Sequence, residues 1–415
     1  MTDAPSQTGP IDAAVANGVR MLAQRPDLAE QQAREVLAAV ADHPPARLLL
    51  AQALRGQWRL AEAREVLDLL ASSQPRWWTA HLELGGLLME AGDAAAAAAA
   101  LEHVVSLKPD LSEAWGQLAV ARRRLGDARG ADLAVKRQID LATRDRVLVE
   151  AGAAMNQGRL AVAEHTLRDV LRDRPHEIAA LRMLAELATR FGRYEDAEAL
   201  LRRCLDIAPR FMPARHNLAI VLYRQARAAE TLEEVEGLLQ GNSRNPTFRN
   251  LQAAALTQLG EYGRAVEIYE SLLKEHPTQP RGWMSYGHTL KTVGRQPDAV
   301  AAYRRAIELQ PGLGEVWWSL ANLKTVRFTP EDLDAMRGQL ARTDLSDEDR
   351  FHLQFALGKA LEDRGEAGSA FEQYAAGNAL RKQTLAYDAD ETSRQATTVA
   401  SVGPFEEMDE AARKW

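Results

Sequence analysis

The chain has little cysteine, few aromatic residues and no long apolar run. Its single cysteine, Cys204, cannot form an intramolecular disulfide or a cysteine-rich zinc site. The longest uninterrupted apolar run, Ala94 to Leu101, is far shorter than the ~18 residues that span a bilayer. The N-terminus MTDAPSQTGP lacks the basic and then apolar pattern of a signal peptide. These absences argue against disulfide-rich and membrane classes and predict a cytoplasmic protein.

The sequence also lacks a basic excess. Residues 328–415 hold 18 acids and 10 bases, so the net charge of -7 comes from this C-terminal part of the chain. The nearly neutral remainder offers no basic face or stripe of the kind that nucleic acids bind. We therefore expect no nucleic-acid partner.

What is abundant is alanine and leucine. Hydrophobic residues make up 46% of the chain and charged residues 26%, which is the balance of a folded protein and excludes wholesale disorder. Because aromatics are only 6%, the mixture favours thin helical layers over a thick β core. At ~100 to 200 residues per domain, the length permits several ordinary domains or one long repeat array.

Four residue types recur with one period in the middle of the chain. Prolines stand at 175, 209, 277 and 311, and glycines at 158, 192, 260 and 294, with spacings of 34, 68 and 34 residues. An alanine follows each glycine by five residues, and a leucine or tyrosine follows each alanine by four. Such periodicity is the signature of stacked structural repeats.

Each repeat reads as two amphipathic helices joined by a turn. In the unit that begins at Pro280, Gly294 marks the turn, where a residue without Cβ adopts positive φ easily. The core-facing residues of this unit are Trp283, Tyr286, Gly287 and Leu290 on the first helix and Ala299, Tyr303 and Ala306 on the second. One such pair cannot bury its apolar face alone, so the units must stack.

These residues resemble the tetratricopeptide repeat (TPR), a helix-turn-helix unit of 34 residues. The resemblance implies an all-α fold, a TPR superhelical solenoid of antiparallel helix pairs. The unit at 112–143 is two residues short, and the unit at 212–245 lacks its turn glycine, which predicts local fraying there. The predicted organisation is a disordered N-terminus at 1–12, an array of about nine repeats at 13–313, an irregular helical junction at 314–350, a terminal TPR-like unit at 351–387, and a linker with a short C-terminal tail at 388–415.

A narrower likeness covers Trp317 to Tyr387. Its segments SLANLKTVRFTPEDLDAM and FALGKA, with Gly377-Asn378, look like the junction between repeats and catalytic domain in bacterial TPR sulfotransferases. In that family an α/β domain follows, whose loop holds the phosphates of the sulfonate donor PAPS. This chain contains no loop of that kind and no other nucleotide or hydrolase motif. We therefore expect no catalytic residue and no bound cofactor.

The resemblance also implies where a partner binds. In a TPR array the first helix of each repeat lines the concave face, and positions between its core residues point into the groove. The groove candidates are Arg182, Asn217, Ile220, Arg224, Ser285, His288, Trp318, Ser319 and Asn322. Arginine and asparagine can bond a peptide backbone or carboxylate, although solvated polar surface is an equally simple interpretation of these positions.

A few residues invite other interpretations. The nine histidines are scattered through different repeats, which predicts no metal site. Cys204 occupies a small-residue position of a second helix, which predicts a buried thiol. Trp318 adjoins Trp317, and two neighbours cannot share one direction on a helix, so one of them should be partly exposed.

Three functions remain open at this point. The first is a non-catalytic scaffold that binds protein or peptide through the concave groove. The second is the recognition arm of a TPR sulfotransferase whose catalytic domain is absent from this chain. The third is an assembly protein that self-associates through an end of the solenoid.

Overall fold

The computed structural model describes residues 9–384, which are helical throughout and contain no strand. The predicted all-α class with antiparallel helix pairs is therefore confirmed. The chain divides into two compact units, unit 1 up to Asn242 and unit 2 from Ser243. Of the segments predicted to lack regular structure, residues 1–8 and 388–415 lie outside the described residues, as do the last three residues of the predicted terminal unit.

Unit 1 contains fourteen helices in the described range. They are α1 (Pro10–Met21), α2 (Pro26–Ala39), α3 (Pro44–Gly56), α4 (Leu60–Ser73), α5 (Trp78–Glu90), α6 (Ala94–Leu107), α7 (Ser112–Arg124), α8 (Ala128–Ala142), α9 (Arg146–Asn156), α10 (Leu160–Asp173), α11 (Ile178–Arg190), α12 (Tyr194–Ile207), α13 (Met212–Arg224) and α14 (Ala228–Gly241). Helix α1 begins at Pro10, so the predicted boundary of the array at residue 13 is too late.

Unit 2 contains eight helices in the described range. They are α15 (Pro246–Gln258), α16 (Tyr262–Glu275), α17 (Pro280–Thr292), α18 (Gln296–Leu309), α19 (Gly314–Ala321), α20 (Pro330–Leu340), α21 (Asp347–Asp363) and α22 (Ala367–Thr384). The irregular junction consists of α19 and α20, and the terminal helix pair begins at Asp347, four residues before the predicted start of that unit.

Glycine at the turn is replaced in two of the repeats. Seven glycines within residues 9–384 have positive φ, each at the turn that ends a first helix. At the equivalent turns Trp58 and Ala226 both have φ of 59°. Ala226 joins two complete helices, α13 and α14, so the fraying predicted for this unit is wrong. A non-glycine side chain can adopt the left-handed region at a cost of about 1–2 kcal/mol.

Small residues on first helices make room for large ones on second helices. A Cβ added at Gly287 in α17 would lie 2.5 Å from the ring of Tyr303 in α18. The same arrangement recurs in the terminal pair, where the gap at Gly358 is filled by Tyr374. The complementary sizes let the two helices of a pair pack at short distance, as the repeat pattern predicts.

An ion pair of constant spacing links successive repeats in unit 1. Three arginines that immediately precede a second helix each bind a glutamate 29 residues earlier, on the preceding second helix. The pairs are Arg59 with Glu30 at 2.8 Å, Arg193 with Glu164 at 2.7 Å, and Arg227 with Glu198 at 2.5 Å. The glutamate side chains are only 9%, 19% and 15% exposed, so these pairs are better shielded from solvent than surface pairs, which contribute ~0–1 kcal/mol each.

The stacking order of unit 1 changes after α8. In the regular part each second helix packs on the first helix that follows it in the sequence, as α6 packs on α7. Helix α8 instead packs on α11, while α9 and α10 pack on each other and on α11. One core cluster accordingly joins Leu118 and Ala134 to Ile178 and Leu181, and a separate cluster holds Leu148, Leu167 and their neighbours. Residues 10–309 thus form nine helix pairs, α1–α2 to α17–α18, and the order in which these pairs stack changes at α8.

Candidate functional site

The change of stacking order creates a cavity in unit 1. Its volume is about 470 Å³, within the range of ~300–1,000 Å³ typical of ligand sites. The walls come from α3, α5, α7 and the end of α10 with the turn that follows it. The lining residues are Arg55, Leu82, Glu83, Gly86, Met89, Glu90, Glu113, Gln117, Val120, Arg124, Arg172, Asp173, Pro175 and His176.

The turn between α10 and α11 closes one side of the cavity, and two buried bonds hold it there. Gln138 of α8 donates Nε2–H to the carbonyl oxygen of His176 at 2.8 Å. Ser112, at the start of α7, donates its hydroxyl to the carboxylate of Glu177 at 2.5 Å. Gly116 allows this approach, because a Cβ there would lie 3.1 Å from the His176 carbonyl oxygen.

Arg55 connects α3 to α5 at another wall. Its Nε and Nη2 donate to the two carboxylate oxygens of Glu90 at 3.0 and 2.6 Å, and Nη1 donates to Glu83. A guanidinium binds a carboxylate through two parallel bonds in this way with fixed geometry. Both glutamates therefore already have a cationic partner.

Glu113 has no such partner. One of its carboxylate oxygens accepts Nε2–H of Gln117 at 2.9 Å, within α7. Burial raises the pKa of Glu113 above the ordinary value, and the charges of Glu83 and Asp173 add to this increase, while the Gln117 bond and the charge of Arg174 oppose it without reversing it. An ionised Glu113 is thus destabilised by its surroundings, because desolvation and like charges both oppose its ionised form.

Two buried atoms of the same wall have no hydrogen-bond partner within the described residues. They are Oε1 of Gln117 and Nδ1 of His176. Burial lowers the pKa of His176, and Arg203 and Arg124 lower it further, so its ring is neutral at neutral pH. Buried polar atoms are normally paired, so these two atoms, on residues that line the cavity, are exceptions.

The remaining charged residues of the cavity differ in their hydrogen-bond and ion-pair partners. Arg124 donates to the carbonyl oxygen of Met89 at 2.9 Å, and Arg172 pairs with Asp169 at 2.9 Å. Within residues 9–384 the side chain of Asp173 makes no ion pair and no hydrogen bond. The cavity therefore presents uncompensated acceptors on the α7 and α10 sides.

The groove candidates in unit 1 lie on other helices than the cavity. Arg182 on α11 is half-buried and pairs with Glu186 at 3.5 Å. On α13, Asn217 and Ile220 are half-buried and Arg224 is exposed. None of the four lines the cavity, and their role in binding stays a prediction.

The groove candidates in unit 2 are held by neighbouring side chains or lie at a helix end. His288 shares a hydrogen bond of 2.9 Å with the hydroxyl of Tyr303 and lies 3.8 Å from Glu315. Ser319 is buried, Ser285 is half-buried, and Asn322 is exposed at the end of α19.

The tryptophan pair behaves as predicted. Trp317 is 1% exposed, whereas Trp318 is half-buried with its ring 5.6 Å from that of Phe355. Trp318 thus contacts α21, the first helix of the terminal pair.

The cavity could not be seen in the sequence, because its walls are brought together by the contact between α8 and α11, which are not neighbours along the chain. The available signal was the unit at 112–143, which is two residues short. A short repeat changes where its second helix ends, and here the next helix pair does not continue the stack on α8.

Other sequence expectations can be compared directly with the structure. Cys204 is fully buried, as predicted, and burial raises the pKa of its thiol to about 12. Within the described range, no three His, Cys, Asp or Glu side chains are grouped so as to hold a metal ion. None of the helices in residues 9–384 is both long and apolar enough to cross a membrane.

The chain resembles known proteins of one kind. Residues 153–311 match the family model for the tetratricopeptide repeat. Human protein O-mannosyl-transferase TMTC1 is 24% identical over 194 residues, which is 46% of this chain and 22% of that protein. TPR repeat-containing protein YpiA of Bacillus subtilis is 22% identical over 125 residues, 30% of each chain. The chain therefore spans less than a third of the length of either relative.

Solved structures of similar chains have low overall similarity. TTC0263, a thermophilic TPR protein in Thermus thermophilus, is 18% identical, with a TM-score of 0.38 over 43% of this chain and 98% of that chain. MamA from Desulfovibrio magneticus is 15% identical, with a TM-score of 0.36 over 40% of this chain and 93% of that chain. The family match thus covers residues 153–311, and helix pairs occur on both sides of that range.

Proposed function

We propose that this chain is a non-catalytic scaffold that binds a protein or peptide segment, and that the cavity between α5, α7 and the α10–α11 turn is the binding site. The observation that carries the proposal is the composition of the cavity. It combines an apolar wall of Leu82, Met89 and Val120 with buried polar atoms that lack partners. Binding sites typically have this combination of apolar lining and a few converging polar groups.

The size of the cavity fits side chains of a peptide better than a folded surface. A volume of about 470 Å³ accommodates one or two large side chains, and the rest of a peptide would lie along the first helices. Within an interface, a few well-buried anchors supply most of the binding energy. An anchor in this cavity is therefore expected to dominate the affinity.

A peptide-display selection on the full chain tests this proposal. Selected peptides should lose at least about tenfold in affinity for the Val120→Trp variant, since the larger neutral side chain fills the space beside the apolar wall. Val149→Trp is the matched control, because Val149 is 54% exposed on α9 and does not line the cavity. Equal loss in both variants, or no loss in either, would contradict the proposed site.

The same peptides distinguish the cavity from the groove predicted on α13. The double variant Asn217→Ala with Arg224→Ala removes two polar groove candidates and leaves the cavity unchanged. Loss of binding in this variant, with normal binding by Val120→Trp, would indicate that the partner binds the α13 surface.

A second candidate function rests on the likeness of residues 317–387 to the junction of TPR sulfotransferases. The residues that carry it lie on two packed helices. Phe355 is in α21, and its ring lies 3.2 Å from where a Cβ of Gly377 in α22 would be. On this alternative the chain is the recognition arm of a sulfotransferase. Calorimetric titration with PAPS tests it, and we expect no binding, since a doubly phosphorylated nucleotide needs several converging N–H donors. Stoichiometric micromolar binding would reverse the non-enzyme proposal.

Two further expectations remain proposals. We propose that the protein is bacterial and cytoplasmic, in line with its sulfotransferase-like segment. Self-association is the remaining alternative function, and a particle size that rises with concentration in light scattering would favour it.

A further inference from the structure

We propose that the cavity takes a cationic side chain, the guanidinium or ammonium group of an arginine or lysine presented by the partner. This inference deepens the proposed function and rests on it. The occupant follows from the charge balance of the cavity: within the described residues two of its carboxylates, Glu113 and Asp173, form no ion pair, against one guanidinium, Arg124, that forms none.

Two of the three arginines that line the cavity have carboxylate partners. Arg55 uses Nε, Nη1 and Nη2 on Glu83 and Glu90, and Arg172 pairs with Asp169 outside the cavity. Arg124 donates to the Met89 carbonyl oxygen, which is neutral. An anionic ligand would therefore meet one guanidinium without a carboxylate partner, beside two carboxylates that repel it.

The acceptors show the opposite pattern. Glu113 has only the neutral amide of Gln117 as a hydrogen-bond donor, and Oε1 of that amide is itself without a donor. Asp173 is without a side-chain partner in the described part of the chain. A single guanidinium offers five N–H donors in a planar fork, which suits several acceptors around one cavity.

The apolar residues of the cavity fit the rest of such a side chain. Leu82, Met89 and Val120 line it beside the acceptors. Lysine and arginine carry aliphatic stems that pack on apolar surface while the charged end reaches polar groups. A neutral apolar side chain would fill the same space but would leave Glu113 and Asp173 without a countercharge.

Methyl-detected NMR of the full chain tests the proposal directly. The probes are Nα-acetylarginine amide and Nα-acetyllysine amide, with Nα-acetylcitrulline amide as the neutral isostere of arginine and Nα-acetylglutamate amide as the anionic control. We expect the two cationic amides to shift the methyl resonances of Leu82, Met89 and Val120 at millimolar concentration. The citrulline and glutamate amides should leave these resonances unchanged.

Two variants link the effect to the acceptors. Glu113→Gln should weaken the arginine amide by about tenfold, because a charge-assisted bond is replaced by a neutral one, and Asp173→Asn should weaken it by a smaller factor. Glu195→Gln is the matched control, since Glu195 is exposed on α12 and lies outside the cavity. A single cooperative thermal transition verifies that each variant is folded.

The outcomes separate this inference from the proposed function. Equal shifts with citrulline amide, shifts with the glutamate amide, or full binding by Glu113→Gln would overturn the cationic specificity. Display peptides that bind at the cavity without a basic residue would also overturn it, while the peptide-binding function would stand. Cationic shifts without any cavity-binding peptide would overturn the peptide-binding function instead.

Discussion

The helices of unit 1 stack in two ways, and only one of them leaves a cavity between the helices. From α1 to α7, each helix packs on its neighbours in sequence, with small residues facing large ones. From α8 to α11, one helix pair is bypassed, and polar bonds replace part of the apolar contact, as between Gln138 and His176. The regular part gives a continuous core, whereas the irregular part gives a cavity with unpaired polar atoms. The regular stack thus provides the packed helices around the cavity, and the break in the stacking order produces the cavity itself.

The largest effect should come from overpacking a regular helix pair. Gly287→Leu should lower the free energy of unfolding of its unit by about 3 kcal/mol, since overpacking costs ~1–3 kcal/mol and even a Cβ there meets the Tyr303 ring at 2.5 Å. Chemical denaturation measures the change. Gly263→Leu is the control, because a Cβ at Gly263 meets nothing within 4 Å. Equal stability of the two variants would contradict the packing described for regular pairs.

A smaller loss is expected where the stacking order changes. Gln138→Leu removes the bond to the His176 carbonyl and should destabilise unit 1 by about 2 kcal/mol, the typical cost of a buried polar group left unpaired. It should also weaken any cavity-binding peptide, since that bond holds the α10–α11 turn. Gln31→Leu on the exposed face of α2 serves as control. A destabilised Gln138→Leu protein with normal peptide affinity would show that the turn is held by other contacts.

The next substitution is expected to raise the free energy of unfolding instead of lowering it. Glu113→Gln should stabilise the protein at neutral pH, because the glutamine has no charge to desolvate and none for the neighbouring carboxylates to repel. The pKa of Glu113 is raised in the folded state, so the wild-type chain regains this stability as pH falls and the carboxyl takes up a proton. The advantage of the variant should therefore be full at neutral pH and disappear in acid. Thermal melting across pH measures it, and an advantage that grows on acidification would contradict the assigned cause.

The smallest effect concerns a regular turn. Trp58 has φ of 59° and a side chain 77% exposed. Trp58→Gly should stabilise unit 1 by about 0.5 kcal/mol, because glycine adopts positive φ without a Cβ clash but loses more entropy on folding. Trp58→Ala keeps the Cβ and isolates the backbone contribution. If both variants melt alike, backbone strain at this turn is negligible.

The sequence predicts the helix pairs well because their signals are local. The spacing of Gly294 and Pro311 marks the turn and the end of a repeat, and the Gly287 position correctly anticipates its contact with Tyr303. Such features depend on residues within one repeat, and the same steric rules apply in every repeat.

The cavity could not be predicted in the same way. The rule that placed Arg182 and Asn217 in a groove assumes that each first helix follows the preceding second helix in space. The packing of α8 on α11 breaks that assumption, and it is decided by contacts between residues far apart in sequence, such as Ser112 and Glu177.

The attachment of the α9–α10 pair has a consequence for hydrogen exchange. Its core cluster is separate from the one that joins α7 and α8 to α11 and α12, so it can open while the main cluster remains intact. Local openings of this kind have their own free energy, lower than that of global unfolding. Amides of residues 146–173 should thus exchange sooner than those of α7 and α11. Arg172 and Asp173 border the cavity, so a ligand that contacts them would slow this exchange. Slower exchange of the α9 and α10 amides would then show that the cavity is occupied, even for amides that do not touch the ligand.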